Sequence, residues 1–212
     1  MHRRTLIAGL AAGTVGLSRT ARAQSGRIVL GQSCALSGAA AQLGIQMHRG
    51  ARIYFDRLNA EGGIGGRTIE LKVLDDGYEP DRCKANTDKF IRDEVFALFG
   101  YVGTPTCLAA LPLINEAKIP FFAPFTGAEA LRDPFSRYVF HLRGSYFDET
   151  ALIVKQLTSL GLKRIAVFRQ NDSYGQAGLD GVLRALKAQQ GESFAAAVAC
   201  VLACSGRVVV MG

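Results

Sequence analysis

The sequence has no tryptophan and little material for a metal centre or a nucleic-acid surface. Of its 3 histidines, only His48 and His141 lie beyond the N-terminal segment, and the 5 cysteines show no CxxC or Cys/His zinc spacing. Four of the 25 basic residues fall within residues 1–23, which leaves 21 basic against 18 acidic residues, a net charge of +3. A balance this small offers no electrostatic footprint for nucleic acid. We therefore expect no metal, no cofactor and no nucleic-acid partner.

Motifs for nucleotide binding and for hydrolysis are also missing: there is no Walker loop, no G-x-S-x-G elbow and no HExxH. The glycine-rich run 62–66 follows a helical pattern and precedes a strand, which is the reverse of a dinucleotide fingerprint and predicts a helix-ending turn. Asp75 and Asp76 are adjacent on a strand and would point to opposite faces, which favours turn chemistry over acid–base catalysis. The sequence therefore predicts no catalytic residue and no enzyme.

Residues 1–23 have the form of a secretory signal. Arg3 and Arg4 precede 13 mostly apolar residues, 5–17, a run too short to span a bilayer. A small-x-small cleavage site ends at Ala23, so the mature chain is expected to begin at Gln24. The paired arginines fit twin-arginine export, and an ordinary secretory route fits as well. We expect an exported protein located in the periplasm.

Beyond this leader, short apolar runs alternate with amphipathic segments. Strands are predicted at 27–31, 68–73, 95–99, 120–123, 138–140 and 165–168, and helices at 44–61, 80–92, 105–117, around 153–160 and at 179–186. Pro112 is expected to kink the third helix. Regular alternation predicts an α/β fold with doubly wound parallel sheets. The spacing fits one nearly complete lobe, 24–143, the start of a second, 144–194, and a tail, 195–212.

Two strand ends have the sequence of an anion site. Thr104 precedes Pro105 after one strand, a combination typical of a helix start, where free N–H groups and the helix dipole favour an anion. Thr126 and Glu129 after the next strand have the spacing of a capping box. Because ligands of open α/β sheets bind beyond the carboxyl ends of strands, we expect both threonines to line one cleft. The alternative is that each threonine only caps its helix.

Several motifs stand in the order found in a known family. They are Ser37-Gly38, the run 59–67, Asp75-Asp76, the strand 95–100, the run 124–128 and the run 170–175. Over about 27–191 the chain resembles the leucine/isoleucine/valine-binding proteins, the periplasmic components of branched-chain amino acid ABC transporters. The resemblance implies a type I periplasmic binding protein, a monomer of two lobes that closes on an amino acid or similar small carboxylate and delivers it to a membrane permease.

The resemblance also implies roles for particular residues. Thr104 stands where the family uses a hydroxyl against the ligand carboxylate, and Phe125 and Thr126 stand where backbone and hydroxyl contact carboxylate and ammonium. Ser37 would face the cleft from the first lobe, and Tyr174 from the second, with Tyr146 as a further aromatic of the wall. Leu43 replaces an aromatic of the family, which puts a preference for leucine-like ligands in question.

Two further expectations follow from the resemblance. Cys83 and Cys107 would form a disulfide, as the family sometimes bridges the two corresponding loops. The second lobe is expected to be truncated, since 195–212 departs from the family's pattern and the acidic ligand for the ammonium is missing. The chain itself is therefore expected to bind weakly and to be poorly soluble.

Other functions remain open at this point. On the same scaffold the ligand could be an aromatic acid, an amide or a urea-like solute. Outside transport, a secreted hydrolase would need the nucleophile elbow that the sequence lacks, and a sensor lobe would have to act with a separate receptor or kinase. Turnover assays separate the hydrolase from the binding proteins, and neighbouring permease and ATPase genes separate importer from sensor.

Overall fold

The computed structural model describes residues 26–162 and 164–189, together with the backbone of two strands at 195–201 and 208–211. The signal and its cleavage site lie outside the described residues. The first lobe contains β1 Ile28–Cys34, α1 Ala41–Ala60, β2 Ile69–Asp75, α2 Pro80–Arg92, β3 Ala97–Phe99, α3 Thr104–Ala117, β4 Phe121–Phe122 and β5 Val139–Phe140, with a 3-10 turn at Glu129–Leu131. The second contains α4 Tyr146–Ser159, β6 Arg164–Gln170, α5 Ser173–Ala188, β7 Ala195–Val201 and β8 Val208–Met211.

The first sheet has five parallel strands in the order β2-β1-β3-β4-β5. The predicted α/β class and parallel sheet are therefore confirmed. The strands and helices of this unit pack around a core of aromatic and aliphatic side chains. It includes Phe90, Leu98, Tyr101, Ile114 and Phe121, all at most 1% exposed. The Tyr101 and Phe121 rings pack edge to face with centroids 5.0 Å apart. This packing fixes the carboxyl ends of β3 and β4, from which the candidate site is built.

The element boundaries differ from the predicted ones in two places that concern the site. β1 continues to Cys34, because it pairs with β2 as far as Asp75, and this carries the chain to the edge that holds Ser37. α3 begins at Thr104 and continues without interruption through Pro112, so the expected kink does not break the helix. The residues 62–66 form the predicted turn, in which Gly62, Gly63, Gly65 and Gly66 all have positive φ.

The second sheet is smaller. β6 pairs with β7 in parallel, and β7 pairs with β8 antiparallel, in the order β6-β7-β8. In sequence, α4 precedes β6 and α5 follows it. α4 begins in a capping box, in which the Ser145 hydroxyl accepts from the Asp148 N–H and the Asp148 side chain accepts from the Ser145 N–H. Within the part of the chain that the structure describes, no helix has both the length and the apolar character needed to cross a membrane.

Candidate functional site

The loops after β3 and β4 run side by side at the carboxyl edge of the first sheet. Val102 and Phe125 form a parallel bridge, and the Phe125 N–H donates to the Tyr101 carbonyl at 2.7 Å. This short ladder extends the pairing of β3 and β4 beyond the strands themselves. It places the residues that follow, Thr104 and Thr126, next to each other, as the two strand-end motifs predicted.

Thr104 and Thr126 form a buried pair of hydroxyls. Their Oγ1 atoms lie 2.7 Å apart, and the Ala128 N–H donates to Thr126 Oγ1 at 3.2 Å. The side chains are 1% and 0% exposed. One hydroxyl proton serves the bond within the pair, so the other is left to be donated to a further acceptor. The N–H groups of Thr104 and Thr106, in the first turn of α3, also have no acceptor within the helix.

Neither threonine has the capping role that the sequence predicted. The residue before α3 is Gly103, and its helix has no side-chain cap, because the Thr104 hydroxyl is engaged by Thr126. The expected capping box at Thr126 and Glu129 is wrong, since the chain forms only a 3-10 turn that starts after Ala128. Both hydroxyls are thereby turned toward each other instead of their own helices.

Aromatic rings from the second lobe pack beside this pair. The rings of Tyr146 and Tyr174 meet edge to face with centroids 5.6 Å apart. The Tyr146 N–H donates to the Gly127 carbonyl at 2.7 Å, directly after Thr126. A Cβ on Gly127 would lie 2.7 Å from Tyr146 Cδ1, so the close approach requires glycine. Tyr146 is 8% exposed and Tyr174 44%, so the first ring is buried and the second reaches the surface.

Tyr78 is a further aromatic of the site that the sequence did not reveal. It has φ 68° and its N–H donates to Asp76 Oδ1 at 2.8 Å, which holds it in the left-handed region. Its ring covers Gly103, where a Cβ would lie 2.5 Å from Tyr78 Cε2. Burial raises the pKa of the Tyr78 hydroxyl, and the negative charge of Asp172 in the second lobe raises it further. Tyr78 therefore packs against the glycine that precedes α3.

Arg143 is the second residue that the sequence did not reveal. Its guanidinium carbon lies 5.6 Å from the centroid of the Phe125 ring and 5.1 Å from that of Tyr146. It also forms an ion pair with Glu149. Its position just before the Ser145 capping box is a signal for a helix start, but nothing in the sequence indicates that the side chain reaches two rings.

Ser37 lies at the same edge but is engaged elsewhere. Its hydroxyl donates to Asp75 Oδ2 at 2.6 Å and its N–H to Asp75 Oδ1 at 3.2 Å. Although burial works against ionisation, these bonds and those from the Leu36 and Gly77 N–H groups lower the pKa of Asp75. Leu43, on α1, is half-exposed.

The two adjacent acids have the separate roles predicted for turn residues. Asp76 is fully buried and accepts from the Ser33 hydroxyl at 2.7 Å and from the Tyr78 N–H. Burial raises its pKa, in contrast to that of Asp75. The two carboxyl groups thus stabilise different turns and do not form a catalytic pair.

The predicted disulfide is wrong. Cys83 and Cys107 are free thiols, both buried, as is Cys34. Burial raises the pKa of Cys83 to about 12 and that of Cys107 well above its usual range. Each thiol faces the core, where Cys107 Sγ lies 3.9 Å from the Tyr101 carbonyl oxygen. The remaining cysteines, Cys200 and Cys204, lie where no side chain is described.

Among the described residues, no three His, Cys, Asp or Glu side chains are grouped as metal ligands. The two histidines have structural contacts instead. His48 Nδ1 is 2.8 Å from Gln32 Oε1, and His141 Nε2 is 3.2 Å from the Leu131 carbonyl oxygen. The arrangement around Thr104 and Thr126 offers hydroxyl and amide donors, aromatic surface and the Arg143 guanidinium.

Comparison with known proteins places this arrangement among binding proteins. The family described as "Periplasmic binding protein" matches residues 27–202. An "Amino acid binding protein" of Pseudomonas aeruginosa is 28% identical over 187 residues, which cover 87% of this chain and 49% of that protein. The Leu/Ile/Val-binding protein of Escherichia coli K12 is 25% identical over 179 residues, covering 84% and 48%.

A solved structure gives the same result in three dimensions. The crystal structure of a possible leucine/isoleucine/valine-binding protein from Rhodopirellula baltica matches with a TM-score of 0.77 and 40% identity. The match covers 83% of this chain and 48% of that one. The chain thus spans about half the length of the relatives it matches.

Proposed function

Because the chain belongs to the periplasmic binding protein family, we propose that it captures a small carboxylate, such as a branched-chain amino acid, for an ABC importer. The observation that carries this proposal is the hydroxyl pair of Thr104 and Thr126, which retains one proton to donate and lies at the first turn of α3. Hydroxyl and helix N–H donors at one point suit a carboxylate.

The rings and the lobes supply the rest of the binding mechanism. A ligand anchored at the threonines would lay its apolar part against Phe125, Tyr146 and Tyr174, which line the adjoining surface. Ligand capture between two lobes removes water from both sides of the ligand, and movement of one lobe relative to the other would admit and release it. The family consists of binding proteins, and we propose that this chain too has no catalytic activity.

The setting of this function follows from the family and the leader. Membership in the family implies the periplasm and pairing with ABC transporter components. We propose that residues 1–23 direct export, with cleavage before Gln24, and that the protein acts as a monomer that delivers its ligand to a membrane permease without a cofactor.

An aromatic carboxylate is a second candidate ligand, favoured by a specific observation. Tyr78, Phe125, Tyr146 and Tyr174 supply four rings around the hydroxyl pair, and Leu43 does not supply the aromatic that accompanies leucine-like ligands in the resemblance described above. A stacked or edge-to-face contact between two aromatic rings contributes about 0.5–1.5 kcal/mol in addition to the free energy gained by burying apolar surface. A ring on the ligand would use this surface better than a branched aliphatic chain.

Ligand-observed NMR on the purified chain tests both candidates. L-leucine, L-isoleucine and benzoate would each be titrated to millimolar concentration, with L-leucinol as a control that lacks the carboxylate. We expect saturation transfer to at least one carboxylate and none to L-leucinol. Equal transfer to L-leucinol and L-leucine, or transfer to none of the four compounds, would contradict the proposed function.

A further inference from the structure

Two of the three rings assigned to the ligand, Phe125 and Tyr146, already face a cation of the protein itself. The Arg143 guanidinium lies 5.6 Å from the Phe125 centroid and 5.1 Å from the Tyr146 centroid, both within the range of a cation–π contact. Phe125 directly precedes Thr126, and the Tyr146 N–H donates to the carbonyl of Gly127, the residue directly after Thr126. The positive charge therefore lies against two aromatic rings, one on the residue before Thr126 and one whose backbone is tied to the residue after it.

The backbone around Arg143 is held in place on both sides. The Arg143 carbonyl accepts from Arg132 Nη2 at 2.9 Å, and the capping box of Ser145 follows two residues later. Tyr146 is tied to Gly127 by its N–H at 2.7 Å. The guanidinium thus extends from a fixed point at the junction of the two lobes.

The charge of Arg143 is only partly balanced by the protein. Its Nε and Nη2 both approach a single oxygen of Glu149, Oε1, and its Nη1 is not part of that pair. The side chains of Arg143 and Glu149 are 33% and 40% exposed, so solvent weakens their attraction. A planar guanidinium with an unused terminal nitrogen can bind a second carboxylate.

We propose that Arg143 is a specificity-determining residue that selects ligands by negative charge. It would meet the carboxylate that Thr104 and Thr126 anchor, while the apolar body of the ligand lies on Phe125 and Tyr146. This inference rests on the proposed function and makes it narrower: the substrate class is an anionic carboxylate with an apolar body, and a neutral amide of the same shape is rejected. Glu149 competes with the ligand for the guanidinium.

The test compares a carboxylate with its neutral isostere in matched variants. Benzoate and benzamide would be titrated by ligand-observed NMR into the wild-type chain, Arg143→Gln and Arg184→Gln. Arg184 is a suitable control because its guanidinium lies 4.8 Å from the Phe147 ring in a contact of the same kind away from the threonines. We expect Arg143→Gln to weaken benzoate binding about tenfold to a hundredfold and to leave benzamide within twofold.

Two further measurements test the proposal: a variant that should strengthen benzoate binding, and the dependence of binding on salt concentration. Glu149→Gln should strengthen benzoate binding, because it removes the competing carboxylate. Raising the NaCl concentration should weaken benzoate binding to wild type and have little effect in Arg143→Gln, since screening acts on the charge pair. Arg184→Gln should behave as wild type in every titration.

The outcomes separate this inference from the proposed function. If Thr104→Val weakens benzoate binding and Arg143→Gln does not, the carboxylate site stands and Arg143 only packs on the rings. Equal weakening of benzoate and benzamide in Arg143→Gln would also overturn charge selection, because it indicates a structural role. If the wild-type chain binds neither benzoate nor L-leucine, the proposed function and this inference fail together.

Discussion

At the scale of single residues, the site depends on two threonine hydroxyls that point at each other. The structure buries Thr104 and Thr126 and leaves their pair with one proton to donate. A buried donor without an acceptor costs free energy, so the arrangement is better satisfied when a carboxylate is present. This free proton is the physical basis for proposing a ligand oxygen at the pair.

Replacement of Thr104 by valine tests this role directly. Valine keeps the shape and removes one hydroxyl, and a hydrogen bond to a charged group is worth about 1.5–3 kcal/mol. We expect the affinity for the carboxylate to fall about tenfold to a hundredfold, measured by the same NMR titration. Thr87→Val is the matched control, since that buried hydroxyl bonds the Cys83 carbonyl and Tyr101 and lies outside the site. Equal loss in both variants would reduce Thr104 to a structural residue.

The cysteines give a second prediction at this scale. Burial raises the pKa of Cys34 and Cys83 to about 12 and that of Cys107 well above its usual range, and only the thiolate reacts with alkylating agents. In native protein at pH 8 iodoacetamide should leave all three unmodified. After unfolding in urea without reductant, all three should be alkylated, as mapped by mass spectrometry of peptides. A peptide linked through Cys83 and Cys107 would contradict the free thiols.

The residues of the site differ in how far the sequence reveals them. Thr104 and Thr126 could be found because each directly follows a strand, and neighbouring parallel strands end at one edge. Their capping roles could not be judged, since the competing partner of each hydroxyl is 22 residues away in the chain. Tyr78 packs on Gly103, and Arg143 contacts the rings of Phe125 and Tyr146, and no spacing within the chain encodes such contacts between segments.

At the scale of elements, both lobes use glycine to seat a helix on the end of a strand. A Cβ on Gly44 of α1 would lie 1.9 Å from the Ala35 carbonyl oxygen, and one on Gly175 of α5 would lie 1.9 Å from that of Gln170. In each case the obstacle is backbone, which cannot rotate away. The units β1–α1 and β6–α5 therefore both need glycine where the helix approaches the backbone at the end of the strand. This shared requirement supports the view that each unit begins a lobe.

Gly175→Ala should accordingly destabilise the protein, whereas Gly178→Ala in the same helix should not. The added methyl at 175 forces α5 away from β6, and overpacking of this kind costs about 1–3 kcal/mol. A Cβ at Gly178 meets nothing within 4 Å. Alanine there should stabilise the protein by about 0.4–1 kcal/mol, because it lowers the conformational entropy of the unfolded chain. Urea unfolding followed by circular dichroism measures both changes. Similar unfolding midpoints for the two variants would refute the packing argument.

Capping motifs were the least reliable element signals in the sequence. Thr126 and Glu129 have the required spacing, but the chain between them turns away and Glu129 Oε2 is buried without a hydrogen-bond partner. Ser145 and Asp148 form the real box, because their helix is long enough to present free N–H groups to it. The alternation of strands and helices was predicted better, since it reflects burial over whole elements.

At the scale of the whole molecule, the first sheet has five strands, and the second has three among the described residues. The parallel order of the first sheet could be predicted, as right-handed crossovers through helices leave few alternatives. In the second lobe, the helix predicted around 153–160 is present as α4, which buries Val154 and leaves Ile153 exposed. The pattern defines a face of the helix but does not say what covers it.

Among the described residues, β6 forms one edge of the second sheet, and this edge predicts self-association that one residue should control. β6 is the end strand of the order β6-β7-β8, and its outward-facing Phe168 is 70% exposed. An unpaired strand edge with an exposed apolar side chain is a template for pairing with another chain, and a lysine on such a strand opposes it. Phe168→Lys should therefore lower the light scattering of concentrated protein and increase the monomer fraction in sedimentation velocity.

Phe135→Lys is the control, because Phe135 is 85% exposed but lies outside any strand. If both variants reduce scattering equally, general surface hydrophobicity and not the edge of β6 drives association, and if neither does, the edge is protected in solution.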